Sequence, residues 1–185
     1  METTTQHDSI FEQRWSSRDF DGSPVSEQQK EILIKAAQTA PSCYNEQPWF
    51  FIDAVDAAAK QKFLELLVPF NQQWAAKAGM LCFLIAKKNF AHNGKPNKHY
   101  AFDCGAAWSY LALQASNMGL SAHAMGGFDE AASYDVLEIS KEDYEVIAAI
   151  AVGRPTEEAR KDEERSSRKE LKEIWGGDLG NSQGK

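Results

Sequence analysis

Three short stretches of the chain hold more hydrogen-bonding groups than a connector needs. Residues 14–18, RWSSR, set Arg14 and Arg18 about one helical turn apart with Ser16 between them. Two guanidinium forks and a hydroxyl at a helix end can bind a phosphate through charge-assisted hydrogen bonds. On a solvated face the same residues would be an ordinary basic patch. Residues 41–48, PSCYNEQP, bring Ser42, Asn45 and Gln47 together between two prolines. Their donors and acceptors suit a planar heterocycle with alternating N–H and C=O groups, or an Asx-type turn that satisfies its own backbone. Residues 124–129, AMGGFD, place Gly126 and Gly127 after an apolar run. There the backbone can approach a ligand closely, or simply make a tight turn.

Other chemistries find little support. His7, His92, His99 and His123 are scattered without ligand spacing, so no metal site is expected. Cys43, Cys82 and Cys104 are odd in number and lack a C-x-x-C pair, which argues against a disulfide framework. Cys82 and Cys104 lie in apolar runs and read as small buried hydrophobes. Phosphate-loop, dinucleotide and nucleophile-elbow motifs are absent from the sequence. Three polar sites in a chain without metal or triad point to a bound organic cofactor.

The elements that must position these sites follow from periodicity. A short helix is predicted over about 8–16, capped by Asp8 or Ser9. Ser26 with Gln29 makes a capping box for a second helix, which Pro41 ends. WFFIDAV (49–55) and MLCFLIA (80–86) read as strands, with helices over 56–68 and 71–78 between them. A long helix over 100–118 ends at Gly119, LSAHAM follows as a strand, Asp129 caps a helix, Ser140 caps one more helical turn, and VIAAIAVG (146–153) is the last strand. The irregular alternation predicts an α+β fold, helices flanking one central sheet.

The helix over 100–118 carries one charge, Asp103, and apolar residues on every face, so it is expected to be buried all round. Gly105, Ala106, Ala107, Ala112 and Ala115 would suit close packing against a second copy, or the chain could wrap the helix itself. A single domain over 1–155 is expected, followed by a charged arm over 156–185 that wraps the partner subunit. The net charge of -7 and pI near 5.1 disfavour nucleic acid and anionic membranes as partners. No stretch is long and apolar enough to span a bilayer, and the first residues lack a signal-peptide pattern, so a cytoplasmic protein is expected.

With these residues on the page, the chain resembles the flavin-dependent nitroreductase family along nearly its whole length. The matching motifs are R-W-S-S-R-D-F, then A-P-S-x-x-N-x-Q-P-W, Asn71, M-G-L after the Ala-rich helix, G-G-F-D and V-G-R-P. The second of these is the most specific. The resemblance implies an intertwined homodimer of α+β subunits with a mostly antiparallel central sheet and two interfacial FMN molecules. NADH or NADPH would be the electron donor, and nitroaromatics, quinones or similar electrophiles the acceptors. A flavin-binding or storage protein with incidental reductase activity is the alternative.

By the same resemblance, Arg14, Ser16 and Arg18 contact phosphate, ribityl chain and pyrimidine edge, with Trp15 contributing backbone. Pro41, Ser42, Cys43, Asn45 and Gln47 belong to a wall supplied by the other subunit. Asn71 faces the pyrimidine, while Met125, Gly126 and Gly127 line the ring near N5. Arg168 is expected at the phosphate, with Arg165 as competitor. The chain departs from the family pattern at Trp74 (where a second cation is common), at Gly126 (an acid) and at Ser166 (a lysine). No side chain is expected to act as a catalytic acid or base, the flavin carrying the chemistry.

Overall fold

The computed structural model describes residues 9–163 and 166–176. Its strands are β1 (Trp49–Asp53), β2 (Met80–Lys87), β3 (Ser121–Met125) and β4 (Tyr144–Gly153). Its α-helices are α1 (Ser9–Gln13), α2 (Glu27–Gln38), α3 (Ala57–Leu66), α4 (Pro69–Ala75), α5 (Tyr100–Asn117), α6 (Glu130–Val136), α7 (Glu157–Asp162) and α8 (Leu171–Ile174). The sheet runs in the order β1-β2-β4-β3, and every neighbouring pair is antiparallel.

MLCFLIA is apolar throughout because β2 is covered on both faces. Met80, Cys82, Leu84 and Ala86 pack into one core with α2 and α5. Leu81, Phe83 and Ile85 pack into the other with residues of α3, α4 and α6. A strand enclosed in this way keeps no polar face. Burial pushes the thiol of Cys82 far up and that of Cys104 to about 12, so both are inert, as their sequence setting predicts.

The capping box at α2 is present, with Ser26 Oγ accepting from Gln29 N and the Gln29 side chain accepting from Ser26 N. From the other side Lys30 ties α2 to the sheet, its ammonium lying 2.8 Å from Glu27 and 2.7 Å from Asp53. Ser26→Ala is expected to destabilise the protein by about 1 kcal/mol. A shift of the urea midpoint at unchanged slope would measure it.

Four expectations change. α1 ends at Gln13 rather than near 16, because the backbone beyond it bonds to β3 instead of continuing the helix. Asp8, the alternative cap, lies outside the described residues. Ser140 starts a turn over 141–143 and no helix, its hydroxyl taken up by Glu142 just before β4 begins. The helix over 100–118 is not buried all round by its own chain. Cys104, Ala107, Leu111, Ala112 and Ala115 face the core, whereas Phe102 is 81% exposed and Gly105, Ser109 and Tyr110 are also open. Apolar periodicity shows that a face will be covered, without showing by which chain. Lastly, residues 156–162 dock on their own chain. Thr156 Oγ1 donates to Asp19 Oδ2, Arg160 Nη2 donates to Gly119 O at 2.8 Å, and Ala159 is buried.

Candidate cofactor site

The segment Arg14–Arg18 is neither helix nor strand and is tied to the outer edge of β3 through Ser121. Ser17 N donates to Ser121 Oγ at 2.9 Å, and Ser121 Oγ in turn donates to the carbonyl of Trp15 at 2.8 Å. Glu163 reaches in from the end of α7, accepting from Trp15 Nε1 at 2.8 Å and from Arg18 N at 3.0 Å. Arg14, Ser16 and Arg18 thus meet at one cleft beyond the end of α1, without the helical turn that their spacing suggested. With Arg168 they line a cleft of about 750 Å³, whose other walls are Phe11, Glu12, Trp15, His123, Glu163 and Ser166. Within it Arg14 Nη1 donates to Ser16 Oγ at 3.4 Å, and the Arg18 guanidinium lies 5.6 Å from the centre of the Phe70 ring. Arg165 lies outside the described residues.

Phe70 leads to the next group. Asn71 Nδ2 donates to Gly127 O at 3.3 Å, and Val68 N donates to the same carbonyl at 3.0 Å. A Cβ on Gly127 would sit 3.0 Å from both Asn71 and Val68, so glycine is what lets the two segments meet. Gly126 differs: a Cβ there would meet nothing within 4 Å, leaving the turn open on one side. Met125 does not line that opening with its side chain. It is buried with Phe83 and Trp74, because 125 is an inward position of β3, and only its backbone can face a ligand.

The stretch 41–48 lies elsewhere in the chain. Pro41, Ser42 and Cys43 line a hollow with His99, Phe102 and Asp103 at the first turns of α5. Asp103, the helix's only charge, accepts from Cys43 N at 3.2 Å. Much of the loop's polarity is spent within it. Gln47 N donates to Ser42 Oγ at 2.9 Å, and Gln47 Nε2 donates to the carbonyl of Asn45 at 3.1 Å. Tyr44, Asn45 and Gln47 hold positive φ values of 52, 56 and 51°. Gln47 therefore shapes the loop, and its outer face borders grooves beside β1 rather than the Pro41–Cys43 hollow.

One chain thus brings the arginine cleft and the Asn71–Gly127 turn to one region and keeps the 41–45 loop apart from the cleft. Ser121, at the cleft, follows α5, and Asp103, at the loop, opens it. From Asp103 to Asn117, where α5 ends, the helix rises about 21 Å at 1.5 Å per residue.

Sequence reasoning missed His123, Glu163, Phe70 and Asp103. His123 was legible in principle, since Ser121, His123 and Met125 share one side of β3. Glu163 carried no local signal. The His123 ring lies tilted against Trp74 with ring centres 4.7 Å apart, and its Nδ1 donates to Ser17 O at 3.1 Å. Burial first, and then the charge of Arg18, hold its pKa below the ordinary histidine value, against the lifting effect of the Ser17 and Ser16 carbonyls and Glu163.

Three guanidinium groups and a hydroxyl in one cleft fit a phosphate monoester. The open space at Gly126, near the same cleft, fits a ring system attached to it. A residue set of this kind suits a mononucleotide cofactor. No helix among the described residues is long and apolar enough to cross a membrane.

Comparison with known proteins agrees with this geometry. A model of the nitroreductase family matches residues 11–68 and 51–154. A solved structure of an oxidoreductase containing FMN is 36% identical, covering 93% of this chain and 92% of its own, with a TM-score of 0.85. A protein of Archaeoglobus fulgidus, named provisionally as an NADH dehydrogenase/NAD(P)H nitroreductase, is 28% identical over 149 residues, 78% of this chain and 83% of that one. The oxygen-insensitive NADPH nitroreductase of Helicobacter pylori is 22% identical over 192 residues, 85% of this chain and 91% of that protein.

Proposed function

The chain belongs to the nitroreductase family, and from that premise we propose a homodimeric enzyme that reduces small electrophiles of the nitroaromatic and quinone classes. It is an NAD(P)H-dependent oxidoreductase with FMN as cofactor. Bound FMN supplies the hydride chemistry, and the protein supplies position and electrostatics. Arg14, Arg168 and Ser16 hold the phosphate end. Arg18 sits towards the pyrimidine edge, where a fixed cation stabilises negative charge as it accumulates. Asn71 adds an amide, and the Gly126–Gly127 turn admits the ring. Pro41, Ser42, Cys43 and Asn45 of the partner subunit close the other side.

The observation that carries this reading is the separation along α5. The two sets of residues lie at opposite ends of one helix, and that helix leaves Phe102, Gly105, Ser109 and Tyr110 uncovered. An antiparallel pairing of two such faces about a two-fold axis is self-complementary. It brings the first turns of one α5 beside the last turns of the other, joining the two half-sites twice per dimer. Leu171, Ile174 and Trp175, all exposed on the arm, offer further apolar surface to a partner.

The test is the colour of the protein. Purified protein is expected to be yellow and, on denaturation, to release FMN equimolar with subunits. Chromatography identifies the chromophore, and FAD or no flavin would overturn the reading. Sustained oxidation of NADH or NADPH with an added quinone or nitroarene separates an enzyme from a flavin store.

A further inference from the structure

Trp74 and His123 form a pair that the proposed function leaves without a role. The tryptophan is nine-tenths buried, and its ring backs the imidazole at 4.7 Å. The imidazole borders the cleft that holds Arg14, Ser16, Arg18 and Arg168. Its tautomer follows from its partner: a carbonyl can only accept, so Nδ1 bonded to Ser17 O carries the hydrogen. Nδ1 is engaged by the Ser17 carbonyl and Trp74 lies tilted against the ring, so Nε2 is the nitrogen not bonded to Ser17.

We propose that His123 is a fourth ligand of the anion in the arginine cleft, donating from Nε2 to a phosphate oxygen and gaining a proton as the anion binds. This rests on the mononucleotide reading of the cleft, and concerns a residue that reading does not use.

The balance of charges around the ring sets the direction. Arg18 faces it from the extended segment, with Arg14 and Glu12 on the same wall of the cleft, and Glu163 and Arg168 come from the chain after β4. α4 contributes Trp74, which is neutral. Without the anion, burial and Arg18 keep His123 neutral at neutral pH. A phosphate dianion accepts from the protonated Nε2, which raises the pKa of the ring. Binding then takes up a proton to the imidazole, no other bond changes, and affinity rises as pH falls.

The experiment is FMN titration of apoprotein by flavin fluorescence between pH 8.5 and 6.5, where the phosphate is largely dianionic. For the wild type, the Kd is expected to fall about three- to tenfold across that range, the span open to one linked proton. His123→Gln keeps a donor near the place of Nε2 but cannot titrate, so the excess over the phosphate's own pH dependence should vanish. Riboflavin, which lacks the phosphate, should show no such slope with wild-type protein. A histidine C–H resonance that is absent from His123→Gln should titrate at higher pH once inorganic phosphate is added. Near-UV circular dichroism checks that the variant keeps its fold. If His123→Gln is misfolded, the riboflavin comparison and the wild-type resonance decide.

Equal slopes in wild type and variant, or an equal slope for riboflavin, would overturn the role of His123 while leaving the cofactor assignment intact. Failure of FMN to bind at any pH would overturn both.

Discussion

Gly105→Arg is expected to yield a folded monomer that has lost its flavin. Gly105 is exposed on α5, and a Cβ there meets nothing within 4 Å, so the new side chain does not strain its own chain. Removing glycine from a helix interior should even stabilise the isolated helix, by about 0.5–1 kcal/mol. Opposed copies of α5 would instead bury an unpaired guanidinium, at a cost of roughly 3–5 kcal/mol. The dimer dissociation constant should therefore rise by about two to three orders of magnitude. If each site draws on both subunits, as proposed, flavin content should fall with dimer content. Ala112 would be a poor choice for this test. It is 3% exposed within its own core, and a charge there would unfold the subunit rather than part the dimer. Sedimentation with and without FMN reads the outcome. A Gly105→Arg dimer with full flavin places the interface elsewhere, and a monomer that keeps full FMN affinity rules out the shared site.

Arg18→Ala should weaken FMN binding by about 1.5–3 kcal/mol, the range for a hydrogen bond to a charged group. That is roughly a ten- to hundredfold rise in Kd. The guanidinium is solvent-exposed and rests on Phe70, while the tie to Glu163 is made by the main chain. The fold should thus survive the substitution. Arg18→Lys keeps the charge without the fork and should fall between the two. Fluorescence titration of the apoprotein measures all three, and unchanged affinity in Arg18→Ala would remove this residue from the pyrimidine edge.

The strands, the capping box at Ser26 and most helices were legible because local patterns specify them. The composition of 80–86 declared a strand covered on both faces, and Asp129 and Asp56 capped the helices that follow them. What was not legible depended on residues far apart in the chain. Arg14, Ser16 and Arg18 were recognised as a group, yet the segment that carries them is held by Ser121, more than a hundred positions on. The polarity of 41–48 left a ligand wall and a self-satisfied turn both open, and Ser42 and Gln47 do spend hydrogen bonds on each other. Met125 was placed at the ring by the family resemblance, which does not say whether side chain or backbone faces it. Strand alternation turned its side chain into the core.

The pairing of β2 with β4 has a consequence for how the chain reaches this fold. β2 is apolar on both faces, and its partner β4 lies across a segment that includes α5, β3 and α6. Long-range pairing of this kind delays the return on loop closure, so folding should be slow beside that of a helical bundle of equal length. During synthesis the delay has a duration. From Lys87 to Gly153 is roughly 66 residues, or about 3–13 s at 5–20 residues per second. For that interval the most apolar strand of the protein has only β1 beside it, and its other edge is open to any chain that can add a strand. The nascent subunit is therefore most exposed to misassembly before β4 emerges, and the last strand to be made is the one that ends the hazard.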